Sequence, residues 1–366
     1  MNRAAPGDAD LFARLRLLRS ARVGPIAYRQ LLRRFGSAGA ALDALPHLAG
    51  HAPAPEARIE AELRTVARFG GFHLCEGDPR YPALLGQVAG APPILVARGD
   101  PALAQRRPVA VVGARNASAG ACRLARDMAH ALAAAGHAVV SGLARGVDGA
   151  AHRGALAAAG AGTIAVVAHG LDRAYPAEHA ALQDQIAHEG LLLSEYPPGT
   201  EPLARHFPAR NRIIAALALG TVVAEAALRS GSLLTARLAG EYGREVMAIP
   251  GSPLDPRSQG CNRLIRDGAT LVQDASEVIE AVTGFTGTPR ADLFADGPGD
   301  APVATPAEIP SAADIAALLG HAPVAIDELV RASGAGPQAV QQVLVELELA
   351  GRIDRHAGGR VSLASR

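Results

Sequence analysis

The stretch Val109–Gly146, VAVVGARNASAGACRLARDMAHALAAAGHAVVSGLARG, decides the fold. It opens on Val109–Val112, an apolar run with no polar alternation, which is the pattern of a strand buried on both faces. A turn follows at Gly113, and Ser118 is placed to cap a helix. Ala119–Ala135 has helix length, and Ala138–Ser141 is a second apolar run that ends at Gly142. Strand, helix and strand in this order make a parallel unit. The alternation continues from about 70 to 285, with runs at Thr163–Val167, Leu191–Ser194, Thr221–Ala224, Val246–Ile249 and Thr270–Val272. Ser232–Gly243 again has helix length, and PPILVARG at 92–99 adds a strand ahead of the unit. The expected core is a doubly wound α/β sheet.

On either side the pattern changes. Residues 1–68 read as a small helical domain, with Leu11, Leu15 and Leu18 at helical spacing and turns at Gly24-Pro25 and Gly36-Ser37. The core is assigned 69–285. Residues 286–310 carry Pro289, Pro298, Pro302, Pro306 and Pro310 and read as a linker. Residues 311–366 read as three helices and a basic hairpin, a winged helix with Gly334 in the helix-turn-helix and Gly358-Gly359 at the tip of the wing.

Composition narrows the function. The chain has 366 residues, 49% of them apolar and only 3% aromatic, so its core is built from Ala, Val, Leu and Ile. It contains no lysine, so all 36 basic residues are arginines, each a planar fork suited to phosphate. The net charge of +1 excludes a uniformly basic nucleic-acid binder, but both ends are locally basic. Eight arginines face Asp8 and Asp10 in residues 1–40, and Arg352, Arg355, Arg360 and Arg366 face Asp354 in the last sixteen. Cys75, Cys122 and Cys261 show neither disulfide nor metal spacing, which suggests reduced thiols in a cytosol. No metal, cofactor or targeting segment is expected. The uncharged run Gly154–Leu171 reads as helix, turn and buried strand rather than a membrane span.

Ligands of open α/β sheets bind outside the carboxyl ends of the strands, and four loops there are suited to anions. Arg115 and Asn116 follow Gly113, before the helix capped by Ser118. Ser141-Gly142-Leu143-Ala144-Arg145-Gly146 reads as a tight loop whose amides close on an anion, with Asp148 as a helix cap and His152 in a structural hydrogen bond. In HFPARNRIIAALA, Phe207 lies in an expected loop among Arg205, Arg210, Asn211 and Arg212. Phe207 there is either a base-stacking platform beside phosphate contacts or a core plug, and Arg210 either a ligand or a bridge between loops. The turn Ser230-Gly231-Ser232 opens a helix carrying Thr235. Four such loops exceed what one mononucleotide needs, whereas a strand of phosphates crossing the edge would use them all.

VGAR, SGLARGVDGAAHRGAL, GTIAVVAHGLDRAYP, SEYPPG, FPARNRIIAALA, VVAEAALRSGSLLTARLAGEYGREVMAIPG and GCNRLIRDGA stand in the order and spacing of the DprA/Smf family, which the chain resembles over about residues 70–275. The resemblance implies an extended Rossmann-like core with an N-terminal helical domain, SAM- or helix-hairpin-helix-like, and a C-terminal winged helix. It implies a cytoplasmic, non-enzymatic protein that dimerises through the core, binds and protects incoming single-stranded DNA, and loads a RecA-type recombinase in natural transformation. It assigns Arg115 to phosphate, residues 141–146 to an amide cradle, Phe207 to stacking, Arg210, Asn211 and Arg212 to its polar surroundings, and Ser230–Ser232 with Thr235 to a small-residue site. Members often carry a tyrosine in the segment where this chain has Ser118-Ala119-Gly120-Ala121, which offers no ring for stacking. The chief rival is a nucleotide-cleaving enzyme of the lysine-decarboxylase-like phosphoribohydrolase type, whose PGGxGTxxE string is not reproduced around Glu225. A nicotinamide dehydrogenase lacks its glycine fingerprint here, and a transcription factor would leave the core loops unexplained.

Overall fold

A computed structural model describes residues 7–49, 52–283, 312–320, 323–356 and 359–364. The expected linker, 286–310, and Gly358 of the wing lie outside them. By their contacts the described residues fall into two units, 62–283 and 7–61 with 312–364.

The chain begins with helices α1 (Asp8–Leu18), α2 (Pro25–Phe35), α3 (Ala38–Ala49) and α4 (Glu56–Arg68). Pro25 opens α2 at a position whose amide would have no helical partner, and Gly36 ends it in the left-handed region at φ 79°. Leu17, Tyr28, Leu31, Ala41 and Leu45 form the apolar interior of this module.

The sheet follows: β1 (Phe72–Cys75), α5 (Ala83–Gly86), β2 (Ile94–Gly99), β3 (Val109–Val112), α6 (Ala119–Ala134), β4 (Val139–Ser141), α7 (Val147–Leu156) and β5 (Thr163–Val166). Then come α8 (Ala180–Glu189), β6 (Leu191–Ser194), α9 (His206–Leu217), β7 (Gly220–Val223), α10 (Gly231–Glu241), β8 (Glu245–Ala248), α11 (Gln259–Arg266), β9 (Thr270–Leu271) and α12 (Ala275–Thr283). The strand order is β1-β2-β6-β5-β4-β3-β7-β8-β9, parallel from β6 to β9 and closed at one edge by the antiparallel β2 and β1. β1 was not anticipated: four residues containing His73 and Cys75 carry little strand signal, and their pairing with β2 decides them. Gly154–Leu171 is indeed the end of a helix, a turn and a buried strand. No helix among the described residues is long and apolar enough to cross a membrane.

After β3 the chain winds outward to β4, β5 and β6, then returns to lay β7 on the other side of β3. The strand order therefore reverses between β3 and β7, and a crevice opens at their carboxyl ends. Ala114 N donates to Glu225 O across it at 2.7 Å. With few aromatics, the helices approach closely instead. Ala125, Ala129, Leu132 and Ala133 of α6 are fully or nearly fully buried, and α7 comes so near that a Cβ on Gly154 would collide with Arg126 O.

The chain ends with α13 (Ala312–Ala317), β10 (Val324–Ala325), α14 (Ile326–Ser333), α15 (Pro337–Leu349), β11 (Ile353–His356) and β12 (Arg360–Leu363). The three strands pair in the order β10-β12-β11 over a core of Ile315, Leu329, Val340, Leu344, Leu347 and Val361.

Two glycine substitutions separate tight packing from helix propensity. Gly154→Ala should lower stability by about 1–3 kcal/mol, because backbone must move to admit the methyl. Gly240→Ala in α10, whose added Cβ would meet only Val246 Cγ2 at 3.7 Å, should leave stability unchanged or raise it by up to about 1 kcal/mol. Urea unfolding of the two variants checks the opposite signs.

Candidate nucleic-acid interface

The carboxyl edge holds two kinds of group: buried ones that tie the loops together and exposed ones that face solvent. The Ser141–Gly146 loop belongs mostly to the first kind. Gly142 N and Ala144 N donate to Asp148 Oδ2 at 3.1 and 3.4 Å, and Leu143 N donates to His152 Nε2 at 3.3 Å. These are amides that the sequence reading assigned to an anion cradle. The chain fills the cradle with its own carboxylate and imidazole, so Gly142, Leu143 and Ala144 do not present these N–H groups outward. Ser141 is fully buried and donates to Val111 O at 2.7 Å. Asp148 thus closes the loop before α7, where a helix cap had been expected. Burial pushes its carboxyl above the usual carboxylate range, opposed by Arg210 and the two amides.

Arg210 is a bridge between loops. It is 3% exposed, and its Nη1 donates to Gly142 O and, at 2.5 Å, to Val166 O. Burial draws its pKa down to about 10, so it remains a cation at neutral pH. Gly142 is required here because a Cβ would overlap the Arg210 guanidinium. Arg212 is also engaged, pairing with Glu195 and donating to Gly90 O at 2.6 Å. Neither side chain is free to meet a phosphate as placed. Arg145 is exposed and makes a two-point pair with Glu178 at 2.8 and 2.9 Å.

His152 is fixed as a neutral ring. Thr163 Oγ1 donates to Val139 O, so it accepts from His152 Nδ1 at 2.8 Å and leaves Nε2 as the acceptor for Leu143 N. Complete burial, with His179 and Arg210 adding to it, lowers its pKa to about 3.

At the first turn of α6, Ser118 Oγ accepts from Ala121 N at 3.1 Å, as expected of the cap. Ser118 also donates its hydroxyl and amide to Glu225 at 2.7 and 3.0 Å, so a carboxylate occupies part of that seat. Arg115 and Asn116 stand beyond it, exposed.

Phe207 is not in a loop. Helix α9 starts at His206, and Pro208 is tolerated because its missing amide falls in the first turn. Phe207 is half-buried and belongs to no apolar core cluster. The Arg115 guanidinium lies 4.7 Å from its ring centroid, and Tyr175 packs at 5.7 Å with the planes 52° apart. His169 meets Tyr175 edge-on at 6.4 Å. Tyr175 is not among the residues expected here, although GLDRAYP places it after β5 at the same sheet edge.

Beside this ledge lies a cleft of about 610 Å³, lined by Arg115, Asn116, Asn211, Ser230, Ser232 and Thr235 among others. Ser230 Oγ and Ser232 Oγ are 2.7 Å apart, Asn211 Nδ2 donates to Gly231 O at 3.3 Å, and Thr235 is buried. Arg229 and Arg257 also line it, and neither was singled out from sequence. Arg257 pairs with Asp255, whereas Arg115 and Arg229 make no ion pair among the described residues. A smaller recess of about 50 Å³ opens between Arg115, Arg145, His169, Tyr175 and Phe207.

The family model described as DNA recombination-mediator protein A matches residues 72–283. The chain belongs to that family, DprA/Smf. Two further models of the same family match the flanks, the DprA-like N-terminal HHH domain over 8–65 and the DprA winged helix domain over 299–359. Protein Smf of Escherichia coli K12 is 38% identical over 315 residues, which cover 84% of this chain and 82% of Smf. DNA processing protein DprA of Streptococcus pneumoniae R6 is 48% identical over 202 residues, 55% of this chain and 71% of that protein. The X-ray structure of DprA from Streptococcus pneumoniae matches 74% of this chain and 97% of its own, with TM-score 0.65 and 35% identity. A structure of DNA processing protein A from Helicobacter pylori, described for its single-stranded DNA binding mode, matches 58% of this chain and 96% of its own, with TM-score 0.53 and 31% identity.

The buried imidazole makes stability depend on pH. His152 has a folded pKa of about 3 against an ordinary 6.5, so its stabilising share is complete above 6.5 and is lost as pH falls toward 3. Between pH 7 and 5 this one group should cost the wild type about 2 kcal/mol. In His152→Gln, urea unfolding at the two pH values should show a loss smaller by that amount.

Proposed function

We propose that the carboxyl edge of this DprA/Smf core binds single-stranded DNA, with Phe207 and Tyr175 as the surface on which bases stack and Arg115 as the first phosphate contact. The observation that carries this reading is the Arg115 guanidinium lying over the half-buried Phe207 ring at the rim of an arginine-bearing cleft. Sequence-independent single-strand binding needs that pairing of a π-face with a cation that tracks the backbone. Asn116, Asn211 and the Ser230–Ser232 turn with Thr235 supply polar groups along the cleft, and Arg145 of the 141–146 loop flanks the recess. Arg210 and Arg212, on the same helix as Phe207, tie that helix to Gly142 O, Val166 O, Gly90 O and Glu195. The single-stranded DNA binding described for the Helicobacter pylori relative supports single-strand binding by this chain.

In this reading the protein is cytoplasmic, dimerises through the core, protects incoming single strands and loads a RecA-type recombinase onto them in natural transformation and recombination. Its domains are 1–68, 69–285 and 311–366, joined by a linker at 286–310. It is not an enzyme. The rival nucleotide-cleaving activity needs a carboxylate poised at the sheet edge, and Glu225 is 6% exposed and held by Ser118.

A gel shift with oligo-dT across a range of salt, beside an assay for base release from AMP, tests the function. Binding should weaken steeply with salt and no base should be released. Arg115→Ala should reduce the log–log salt slope by about 0.7, the share of one phosphate contact on a single strand. An unchanged slope in the folded variant removes Arg115 from the site.

Phe207→Ala should cost about 1–3 kcal/mol of binding, the worth of one stacked base, while its melting temperature stays near the wild type's. Phe207→Trp should keep most of the affinity, since a platform accepts a different ring. A large fall in melting temperature without a binding defect would return Phe207 to the core.

A further inference from the structure

The C-terminal helices have the helix-turn-helix arrangement, with Gly334 ending α14 in the left-handed region at φ 65° and Pro337 opening α15. Where such a motif reads duplex DNA, the second helix lies in the major groove and its outer side chains meet bases and phosphates. α15 is poorly made for that task. Its sequence, PQAVQQVLVELEL, has no arginine and carries Glu346 and Glu348. Phosphate contact rests on cations; Glu346 opposes it, and Glu348 is taken up by Arg355 of β11 at 2.7 Å.

The outer face of α15 is also covered. Val340, Val343, Leu344 and Leu347 pack into the winged-helix core. Val345 and Leu349, on the other side, are 5% and 1% exposed and join the apolar cluster of Leu17, Tyr28, Leu31 and Leu45 from the N-terminal helices. Arg34 Nη1 pairs with Glu346 Oε1 at 2.6 Å. Arg22 Nη1 donates to Leu349 O at 3.4 Å, where a cation meets the negative end of the helix. Two arginines of the basic N-terminal run are therefore used on the acidic helix. The ion pair is partly exposed and contributes little, so burial of the two apolar side chains dominates the contact.

We infer that the winged helix is a protein-docking module, not a reader of duplex DNA. The outer face of α15 is the seat, and the chain's own N-terminal helices are the occupant. The ends of the chain thereby clasp each other.

The absence of lysine gives a clean test. Arg34→Lys places the only side-chain amine of the protein beside Glu346, within reach of a zero-length carbodiimide cross-linker. Peptide mapping of the full chain should find an isopeptide bond between the amine introduced at position 34 and Glu346, in the band of single-chain mass. Adding Val345→Asp, which puts a charge in the apolar contact, should reduce its yield at least fivefold. In a gel shift with a 20-base-pair duplex, replacing Gln341 and Gln342 with alanine should change affinity less than twofold. Absence of that isopeptide bond, or its presence only in the band of doubled mass, would overturn the clasp. So would a yield unmoved by Val345→Asp. A loss of duplex affinity beyond twofold in the glutamine variant would show that α15 reads DNA after all.

Discussion

The carboxyl edge of the sheet depends on the peptide of Gly142 being held from both sides. Its carbonyl accepts from the buried Arg210 guanidinium and its amide donates to the buried Asp148 carboxylate. Taking two charges out of water is costly, and the cost is recovered only where each is hydrogen-bonded. Arg210 Nη1 reaches the carbonyl that ends β5 as well as the loop after β4, while its buried Nε has no partner among the described residues, and Asp148 closes that loop on itself. One cation and one anion thereby set the relative positions of two strand ends and the start of α9. Without them Phe207, in the first turn of that helix, would have no defined relation to Arg115.

This arrangement divides the polar residues of the edge between support and contact. Asp148, His152, Glu225, Arg210 and Arg212 satisfy backbone groups, and they hold the loops in a single arrangement. Arg115, Arg229, Tyr175 and Phe207 are left with guanidinium or ring surface facing outward. In a chain with so few aromatics, two of them meeting beside an arginine that makes no ion pair among the described residues concentrates stacking surface in one place. That surface suits a polymer with alternating bases and phosphates better than a compact nucleotide, because stacking and charge lie side by side along an open rim.

The second unit follows a different logic. Its N-terminal helices are basic and α15 is acidic, so charge that looks available for nucleic acid in the linear sequence is partly consumed within the protein. Local charge runs describe potential, and the partner that reaches them first in the folded chain determines their use.

The sheet was legible in the sequence because buried parallel strands are continuous apolar runs, and the runs at 109–112, 163–167 and 191–194 have no competing pattern. The site was legible as a set of loops for a related reason: glycines, serines and arginines directly after strands can only lie at the carboxyl edge. β1 was lost because its four residues acquire strand character from pairing with β2. The roles of individual edge residues were lost for another reason. An arginine in FPARNR has the same chemistry whether it meets a phosphate or a carbonyl, and only the fold puts Val166 O 2.5 Å from Arg210 while leaving Arg115 over Phe207. Amides written as a cradle likewise do not show that Asp148, six residues after Gly142, will occupy it. Sequence determined which groups gather at the edge, because periodicity is local. Tertiary structure decided which of them are already satisfied, because desolvation and hydrogen bonding depend on neighbours far along the chain.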